Sequence, residues 1–129
     1  EGKMKKLKFY KCKICGNVVI KLYDSGVPVF CCGQQMEELS ANTTDGAVEK
    51  HKPVVDIDGD KVQVVVGEVL HPMTNEHYIS MILIETNKGF YVKNLLPTDK
   101  PKAEFSLTKD ETFENAYAYC NLHGLWGNR

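Results

Sequence analysis

The sequence predicts an all-β protein made of a small, metal-stapled N-terminal domain and a larger β-sandwich. Short runs of β-branched and aromatic residues, separated by turn residues, recur along the 129-residue chain. No stretch shows an amphipathic helical pattern of useful length. Four of the five cysteines lie within the first 37 residues, where apolar side chains are too few for an independent core. These observations divide the chain into residues 1–37, 38–47 and 48–129.

The N-terminal domain, residues 1–37, is predicted to contain short strands and very little core. Its candidate strands are Phe9–Cys12, Val18–Leu22 and Val27–Phe30, which glycine-containing turns separate. A domain of fewer than about 40 residues usually needs a metal, disulfides or oligomerisation to be stable. We therefore expect the four cysteines of this segment to stabilise it by binding a metal.

Residues 38–47 are polar and predict a linker between the two domains. They include Asn42 and Gly46 and show no hydrophobic periodicity. Thr44 and Asp45 are candidate N-caps for a single helical turn that leads into Glu49-Lys50-His51.

Residues 48–129 are predicted to form the β-sandwich, because candidate strands follow one another at short intervals. Asp58-Gly59 predicts a tight hairpin turn before the alternating segment Lys61–Val66. The other candidate strands are Tyr78–Glu85, Phe90–Val92, Ala103–Leu107 and Phe113–Cys120. Trp126 is predicted to be a core aromatic of this domain.

Composition excludes several classes of function. Lys+Arg 16 against Asp+Glu 17 gives a net charge of −1, which predicts no nucleic-acid partner. The apolar runs are about four residues long, so no membrane span is expected, and no signal-peptide pattern is present. Five cysteines is an odd number, which favours reduced thiols and a cytoplasmic location over a disulfide framework.

Cys12, Cys15, Cys31 and Cys32 form the first predicted metal site. The two residues between Cys12 and Cys15 allow the backbone to turn and direct both sulfurs at one ion. Neighbouring side chains of a strand point to opposite faces, so the backbone must bend at Cys31-Cys32 for both to share a metal. Four sulfurs suit zinc and a single iron equally well, and a structural zinc ribbon remains open at this point.

The second predicted metal site uses every histidine of the chain and the fifth cysteine. Its candidate ligands are His51, His71, His77, Cys120 and His123. Five ligands are too many for structural zinc, which needs four. Blue copper uses two imidazoles, one thiolate and a weak axial methionine, and Met73 keeps that alternative open. Iron would accept four imidazoles and a thiolate and retain one position for a small molecule.

Six short motifs resemble those of the two-centre superoxide reductases, the desulfoferrodoxin family, and they occur in the family's order. They are Cys12-Lys13-Ile14-Cys15, Cys31-Cys32-Gly33, Glu49-Lys50-His51, His71-Pro72-Met73, His77-Tyr78-Ile79 and Cys120-Asn121-Leu122-His123-Gly124. The resemblance covers essentially the whole chain. It implies a desulforedoxin-like first domain and an immunoglobulin-like sandwich.

The resemblance also implies cofactors and an activity. The chain would bind two irons, Fe(Cys)4 at Cys12, Cys15, Cys31 and Cys32, and Fe(His)4(Cys) with Cys120 axial and the four histidines equatorial. Its reaction would be one-electron reduction of superoxide to hydrogen peroxide, as detoxification in oxidative stress. Glu49 corresponds to the carboxylate that occupies the sixth position of oxidised iron, and Lys50 is the candidate for attracting the anion and assisting protonation.

Partners and rival functions follow from the same resemblance. An external donor such as rubredoxin would re-reduce the iron, and chains with the first centre are usually homodimers. The rival functions are a true superoxide dismutase, an electron carrier that binds no substrate, and a zinc-binding interaction module. Oxygen release, failure to bind small anions, and a colourless protein would indicate these three respectively.

Overall fold

Strands account for nearly all the regular structure of the chain. The computed structural model describes residues 7–44 and 46–129, and the only helix in those residues is the four-residue α1, Val48–His51. The chain divides after Ser40 into two units. No helix of the described segments is long and apolar enough to cross a membrane. The predicted all-β fold class is confirmed.

The first unit contains a small sheet and a hairpin. Its strands are β1 (Phe9–Lys11), β2 (Val18–Ile20), β3 (Phe30–Cys31), β4 (Gln34–Gln35) and β5 (Glu37–Leu39). The antiparallel sheet has the order β2-β1-β5, and β3 pairs with β4. Residues 38 and 39 of the predicted linker therefore belong to a strand. Of the predicted strand Val27–Phe30, only Phe30 lies in a strand, because pairing with β4 begins at that residue.

The second unit is a sandwich of a three-stranded and a four-stranded antiparallel sheet, ordered β10-β7-β6 and β12-β11-β8-β9. The strands are β6 (Pro53–Asp58), β7 (Lys61–Val66), β8 (Ile79–Thr86), β9 (Phe90–Asn94), β10 (Lys102–Ser106), β11 (Phe113–Cys120) and β12 (Gly124–Gly127). Alternate residues of β7 point inward: Val62, Val64 and Val66 are fully buried. They pack with Ile82 and Ala118 of the other sheet in one core.

The hairpin between β6 and β7 forms one residue later than predicted. Asp58 pairs with Lys61, so the two-residue loop is Gly59-Asp60. Gly59 has a φ of 62°, the left-handed conformation that a tight hairpin needs and that glycine adopts without strain. The hairpin aligns β6 antiparallel to β7. The helix that carries His51 ends two residues before the start of β6.

The predicted capping of α1 is wrong. Its N-cap is Ala47, which makes no side-chain capping hydrogen bond. Asp45 lies outside the described residues, and Thr44 instead donates a hydrogen bond to the backbone carbonyl of His123. A cap at residue 44 would require the helix to begin near residue 45, whereas it begins at Val48, after Ala47 in an extended conformation.

A polar cluster around Glu111 closes the end of the sandwich where β8 turns into β9. The carboxylate accepts hydrogen bonds from the Thr86 hydroxyl at 2.6 Å, the Tyr91 hydroxyl at 2.6 Å and the Thr108 backbone N–H at 2.9 Å. These bonds, led by that from Thr86, lower the pKa of Glu111 to about 2. The charged form is therefore favoured in the folded state.

We expect Glu111→Gln to lower the urea midpoint of the protein at pH 7, because an amide cannot accept all of these bonds. The pKa of Glu111 is lower in the folded state than its ordinary value of 4.5. Its contribution is therefore complete above about pH 4.5 and lost as the pH falls towards 2. The difference between variant and wild type should shrink over that window. Glu104→Gln on the exposed side of β10 is the control, and equal effects of both changes would contradict the assignment.

Candidate metal centres

The first cluster is built from two turns of the first unit. The Cys12 carbonyl accepts hydrogen bonds from Gly16 N–H at 2.9 Å, and Cys12 N–H donates to Asn17 O at 2.9 Å, which closes the turn around the Cys12-x-x-Cys15 segment. Cys15 N–H also points at the Cys12 sulfur, at 3.5 Å. Backbone N–H groups directed at a sulfur favour its thiolate form.

Cys31 and Cys32 lie in a hairpin whose turn allows both side chains to point towards the same site, which a regular strand would not. Phe30 pairs with Gln35 and Cys31 with Gln34, so Cys32-Gly33 is the two-residue loop. Both loop residues have positive φ, 53° at Cys32 and 73° at Gly33, which is the pattern of a type I′ turn. Positive φ is unfavourable for a cysteine. The turn brings both sulfurs to one side, as the sequence required.

All four sulfurs of this cluster lie within 4.8 Å of one another. The sulfur atoms of Cys15 and Cys31 are 3.6 Å apart, and none of the five cysteines forms a disulfide. Hydrogen bonds, first from the Cys15 N–H, lower the pKa of Cys12 to about 6, while contacts with Cys15 and Cys12 raise the pKa of Cys32 to about 12. Four thiols this close cannot all ionise without a cation between them.

The second cluster lies at one edge of the sandwich, where three chain segments meet. His51 ends α1, His71 and His77 lie in the connection from β7 to β8, and Cys120 ends β11. Ligand atoms of these four residues lie within 4.8 Å of one another. The β11 register shifts between Tyr119 and Cys120, and such a bulge redirects the side chain that follows it.

Hydrogen bonds determine which nitrogen of each imidazole faces the cluster. Nδ1 of His51 lies 2.7 Å from Ala47 O, and Nδ1 of His71 lies 2.7 Å from Pro72 O. Each Nδ1 therefore carries the proton and leaves Nε2 as a lone-pair donor. The Nε2 atoms of His71 and His77 are buried and have no hydrogen-bond partner. Buried polar atoms without a partner are costly, so these two nitrogens fit a bound metal.

His123 is adjacent to this group but outside the 4.8 Å set. It lies in the three-residue loop 121–123 between the paired Cys120 and Gly124. Its Nδ1 is 2.9 Å from Nε2 of His51 and 3.8 Å from the Cys120 sulfur. The nitrogen that faces the cluster is thus Nδ1 in His123, whereas it is Nε2 in His51 and His71.

The electrostatics of the cluster favour neutral imidazoles. Burial lowers the pKa of His71 to about 4. Burial, followed by neighbouring imidazoles, also lowers the pKa of His77 and of His51, with Lys50 contributing to both. A neutral imidazole is the form that binds a metal. At neutral pH, therefore, no proton has to be displaced from these ligands.

Cys120 is the most enclosed member of the cluster. It is fully buried and belongs to the sandwich core. Burial raises the pKa of its thiol, and N–H groups of Leu122 and His123 act in the opposite direction. A cation at the cluster would stabilise the thiolate. His51 and His71 are also buried, while His77 and His123 are half-buried, so the cluster is nearest to solvent on the side of the latter two.

Asn121 ties the two loops of the cluster together, a role the sequence did not reveal. Its side-chain oxygen accepts a hydrogen bond from Tyr78 N–H at 2.9 Å, and its amide donates to Glu76 O at 2.9 Å. The loop carrying His77 is thereby held against the hairpin carrying Cys120. The only sequence signal was the position of Asn121 inside the Cys120–His123 spacing.

Glu49 and Lys50, predicted as catalytic residues, lie on α1 directly before His51 and are exposed. Within the described segments, neither side chain takes part in an ion pair of 4 Å or less. The charge of Lys50 nevertheless lowers the pKa of His51 and His77, after the larger effect of burial. Its ammonium group is therefore close enough to the cluster to affect both imidazoles.

The two clusters differ in what they can do chemically. Four thiolates held by two tight turns would supply all four ligands of a structural metal site. Three or four imidazoles and a buried thiolate, with solvent access on one side, suit a metal that also binds a small molecule. Spacing alone had brought His51, His71, His77, Cys120 and His123 together as one set; the structure groups the first four and places His123 beside them.

Comparison with known proteins identifies relatives along the whole chain. The family described as desulfoferrodoxin matches residues 43–129, and the family described as desulfoferrodoxin, N-terminal domain, matches residues 4–39. A desulfoferrodoxin homolog of Archaeoglobus fulgidus is 44% identical over 120 residues, which is 93% of this chain and 94% of the relative.

Solved structures give the same grouping. The superoxide reductase of Treponema pallidum superimposes with a TM-score of 0.81 at 37% identity, covering 97% of this chain and 100% of that one. The superoxide reductase (1Fe-SOR) of Giardia intestinalis gives a TM-score of 0.54 at 34% identity and covers 62% of this chain and 95% of that one.

Proposed function

We propose that this chain, which belongs to the desulfoferrodoxin family, is a superoxide reductase that converts superoxide to hydrogen peroxide at its second cluster. The two clusters are the sites of two iron ions per chain. The observation that carries the proposal is the pair of buried, partnerless Nε2 atoms of His71 and His77 beside a buried thiol. Such a donor set binds a metal strongly and remains accessible on one side.

The ligands of the second iron are proposed to be four imidazoles and one thiolate. Nε2 of His51, His71 and His77, Nδ1 of His123 and the sulfur of Cys120 are the atoms that face the cluster. Iron held there supplies the single electron that superoxide takes up. The buried side, formed by His51, His71 and Cys120, excludes water from the ligand atoms, and the half-buried side admits the substrate.

Lys50 and Glu49 are proposed to act on the substrate side. The Lys50 ammonium attracts the superoxide anion and supplies a proton from Nζ, directly or through water. Its charge lowers the pKa of both His51 and His77, which supports a position close to the cluster. Glu49 is proposed to be the carboxylate that binds the oxidised iron when substrate is absent. Its place on α1, two residues before His51, supports that assignment.

An external electron donor of the rubredoxin type is proposed for the second centre. Exposed apolar side chains flank three ligand-bearing segments: Val48 before His51, Leu70 before His71 and Leu122 beside His123. Such residues around a redox site support transient docking of a small protein.

A homodimer is proposed from the surface of the first unit. Leu22, Tyr23, Val27 and Phe30 are all exposed there, although this unit has few apolar residues in total. Burial of these side chains against a second copy would add the core that the unit lacks. A cytoplasmic location is proposed as well, and the five free thiols support it.

The proposed activity is tested by the stoichiometry of products. The iron-loaded, pre-reduced protein is mixed with superoxide, and hydrogen peroxide and oxygen are measured. Reduction consumes one superoxide, one electron and two protons per hydrogen peroxide and releases no oxygen. We expect one hydrogen peroxide per superoxide consumed. Release of one oxygen for every two superoxide ions would indicate a dismutase instead, and no reaction would indicate an electron carrier.

We expect Lys50→Gln to slow the second-order reaction with superoxide by roughly two- to tenfold at low ionic strength. The reason is that removal of one positive charge near the substrate side weakens the attraction of the anion. The rate of the variant should also depend less on salt, because screening acts on the same attraction. Stopped-flow or pulse-radiolysis rates at several ionic strengths measure both effects.

Lys61→Gln is the matched control for that experiment. Lys61 pairs with Asp58, five residues along β6 from Pro53, so it lies about 17 Å from the end of the strand near His51. This distance is about two Debye lengths at physiological ionic strength, so the two variants are compared at that ionic strength as well as at low salt. Equal slowing by both changes would show that net charge, and not the position of Lys50, determines the rate.

A further inference from the structure

The backbone carbonyl of His123 accepts hydrogen bonds from two side chains outside the ligand set. The indole Nε1–H of Trp126 donates to it at 3.0 Å, and the hydroxyl of Thr44 donates to it from a residue 79 positions earlier in the chain. Both donors bind the same peptide group of the loop that carries the His123 ring. Together they restrict the rotation of that peptide, and with it the direction of the imidazole.

Trp126 also contacts the His51 imidazole. The two rings stack with their centroids 4.9 Å apart and their planes 27° from parallel, and Trp126 is 1% exposed. Nδ1 of His51 is already held by the Ala47 carbonyl. The stacked indole therefore prevents the ring from tilting about that hydrogen bond. One side chain thus holds two neighbouring imidazoles, of His51 and His123.

The segment around Gly46 lies directly against the same imidazoles. A Cβ atom at Gly46 would lie 3.2 Å from Cε1 of His51, 3.2 Å from Cζ2 of Trp126 and 3.3 Å from Cβ of His123. These distances are shorter than ordinary van der Waals contact, so a larger residue at position 46 would require these side chains to shift by a few tenths of an ångström. The close approach places Thr44 within reach of the His123 carbonyl.

Asn42, two residues before Thr44, is hydrogen-bonded to β12. Its backbone N–H donates to Leu125 O at 3.0 Å, and its side-chain oxygen accepts from Gly127 N–H at 3.0 Å. Its amide donates to Gly127 O at 3.3 Å and to Arg129 O at 2.9 Å. Thr44 is itself exposed. The hydroxyl therefore does not contribute to core packing, and its described interaction is the hydrogen bond to the His123 carbonyl.

We propose that Thr44 and Trp126 are positioning residues of the second iron centre: they set the directions of the His123 and His51 imidazoles through the His123 carbonyl and the stacked indole. This inference rests on the proposed metal centre and not on the reaction with superoxide. Partners of metal ligands typically change metal affinity by about 10- to 100-fold when they are removed. Their loss should alter both the affinity and the spectrum of the metal.

The test compares Thr44→Val with Thr44→Ser in the full-length protein. Valine has the shape of threonine without the hydroxyl, and serine keeps the hydroxyl. Each protein is loaded with Co²⁺ or iron; chelator-driven loss of metal from the second centre is timed, and its absorption and paramagnetic resonance spectra are recorded. We expect Thr44→Val to lose the metal roughly tenfold faster and to show a shifted spectrum. Thr44→Ser should restore the wild-type values.

Trp126→Phe and Thr112→Val complete the design. Phenylalanine keeps an aromatic ring against His51 but lacks the N–H, so it should change the spectrum in the same way as Thr44→Val. Thr112 is exposed at the turn before β11. Its backbone N–H donates a hydrogen bond to Asn87 Oδ1 at 2.8 Å, and this bond does not involve the hydroxyl. Thr112→Val should therefore behave like wild type.

Three results would overturn the inference, and the third also affects the proposed function. If Thr44→Val and wild type bind metal with equal affinity and identical spectra, Thr44 does not position the ligands. If Thr44→Ser fails to restore a change seen in Thr44→Val, the hydroxyl is not responsible. Failure of the wild type itself to bind a second metal would refute the proposed metal centre, and the inference with it.

Discussion

Cys120→Ala is expected to reduce the second-order rate with superoxide by at least about 100-fold while leaving the first cluster loaded with iron. Cys120 supplies the only sulfur of the second cluster, and it is fully buried among the ligand atoms. Loss of a residue that only supports a ligand already costs 10- to 100-fold, so loss of the ligand should reach at least the upper limit. Iron content, the spectrum of each centre and the superoxide rate measure the result.

The control must separate loss of a ligand from loss of a core side chain. Cys120 belongs to the sandwich core, so its truncation also leaves a small cavity. Ile79→Val removes a methylene from the fully buried residue that pairs with Cys120 across β8 and β11, and it should cost about 1 kcal/mol in stability. We expect that variant to keep its second iron and its activity. A Cys120→Ala protein that retains more than a tenth of the rate would show that the thiolate is dispensable.

The sequence predicted the fold class because strand residues and turn residues alternate so regularly along the chain. It did not predict β12, Gly124–Gly127, which contains two glycines and no alternating pattern. This strand forms because Cys120 pairs with Gly124 across a three-residue loop, and pairing of that kind depends on the partner strand. The hairpin at Cys31-Cys32 shows the opposite case. The requirement that two neighbouring sulfurs face one metal predicted a bend, and the chain forms it with two positive φ values.

The metal clusters were easier to predict than the residues around them. Cysteine and histidine reveal a metal site through residue type and spacing, which the sequence contains in full. Thr44 has no such signal, and it was interpreted as a helix cap because threonine before a short helical turn usually caps it. Its actual partner, His123, is 79 residues away, and only the folded chain brings the two together. Asn121 also has no such signal in the sequence, although its side chain accepts a hydrogen bond from Tyr78 N–H and donates one to Glu76 O.

The first cluster is expected to stabilise its unit and not to be required for catalysis. Among the described residues of this unit, only Phe9, Cys12 and Met36 are buried apolar side chains. So small a core cannot offset the conformational entropy of ordering the chain, so binding of the metal must supply the folding free energy. The second cluster shares no ligand with the first.

Cys12→Ser should therefore remove one iron per chain and expose residues 7–40 to proteolysis, while the superoxide rate of the pre-reduced protein stays within about twofold of wild type. A serine hydroxyl is a poor substitute for a thiolate as a ligand of a soft metal, so the four-sulfur site is lost. Lys13→Ser is the matched control, since Lys13 is exposed beside Cys12 and makes only a surface ion pair with Glu37 at 3.7 Å. Limited proteolysis, iron analysis and single-turnover kinetics measure the three effects. With an external electron donor, a turnover rate more than tenfold lower, in a variant whose pre-reduced second centre still reacts at the wild-type rate, would establish the first centre as an obligatory electron relay. Unchanged turnover with one iron would establish that the first centre only stabilises its unit.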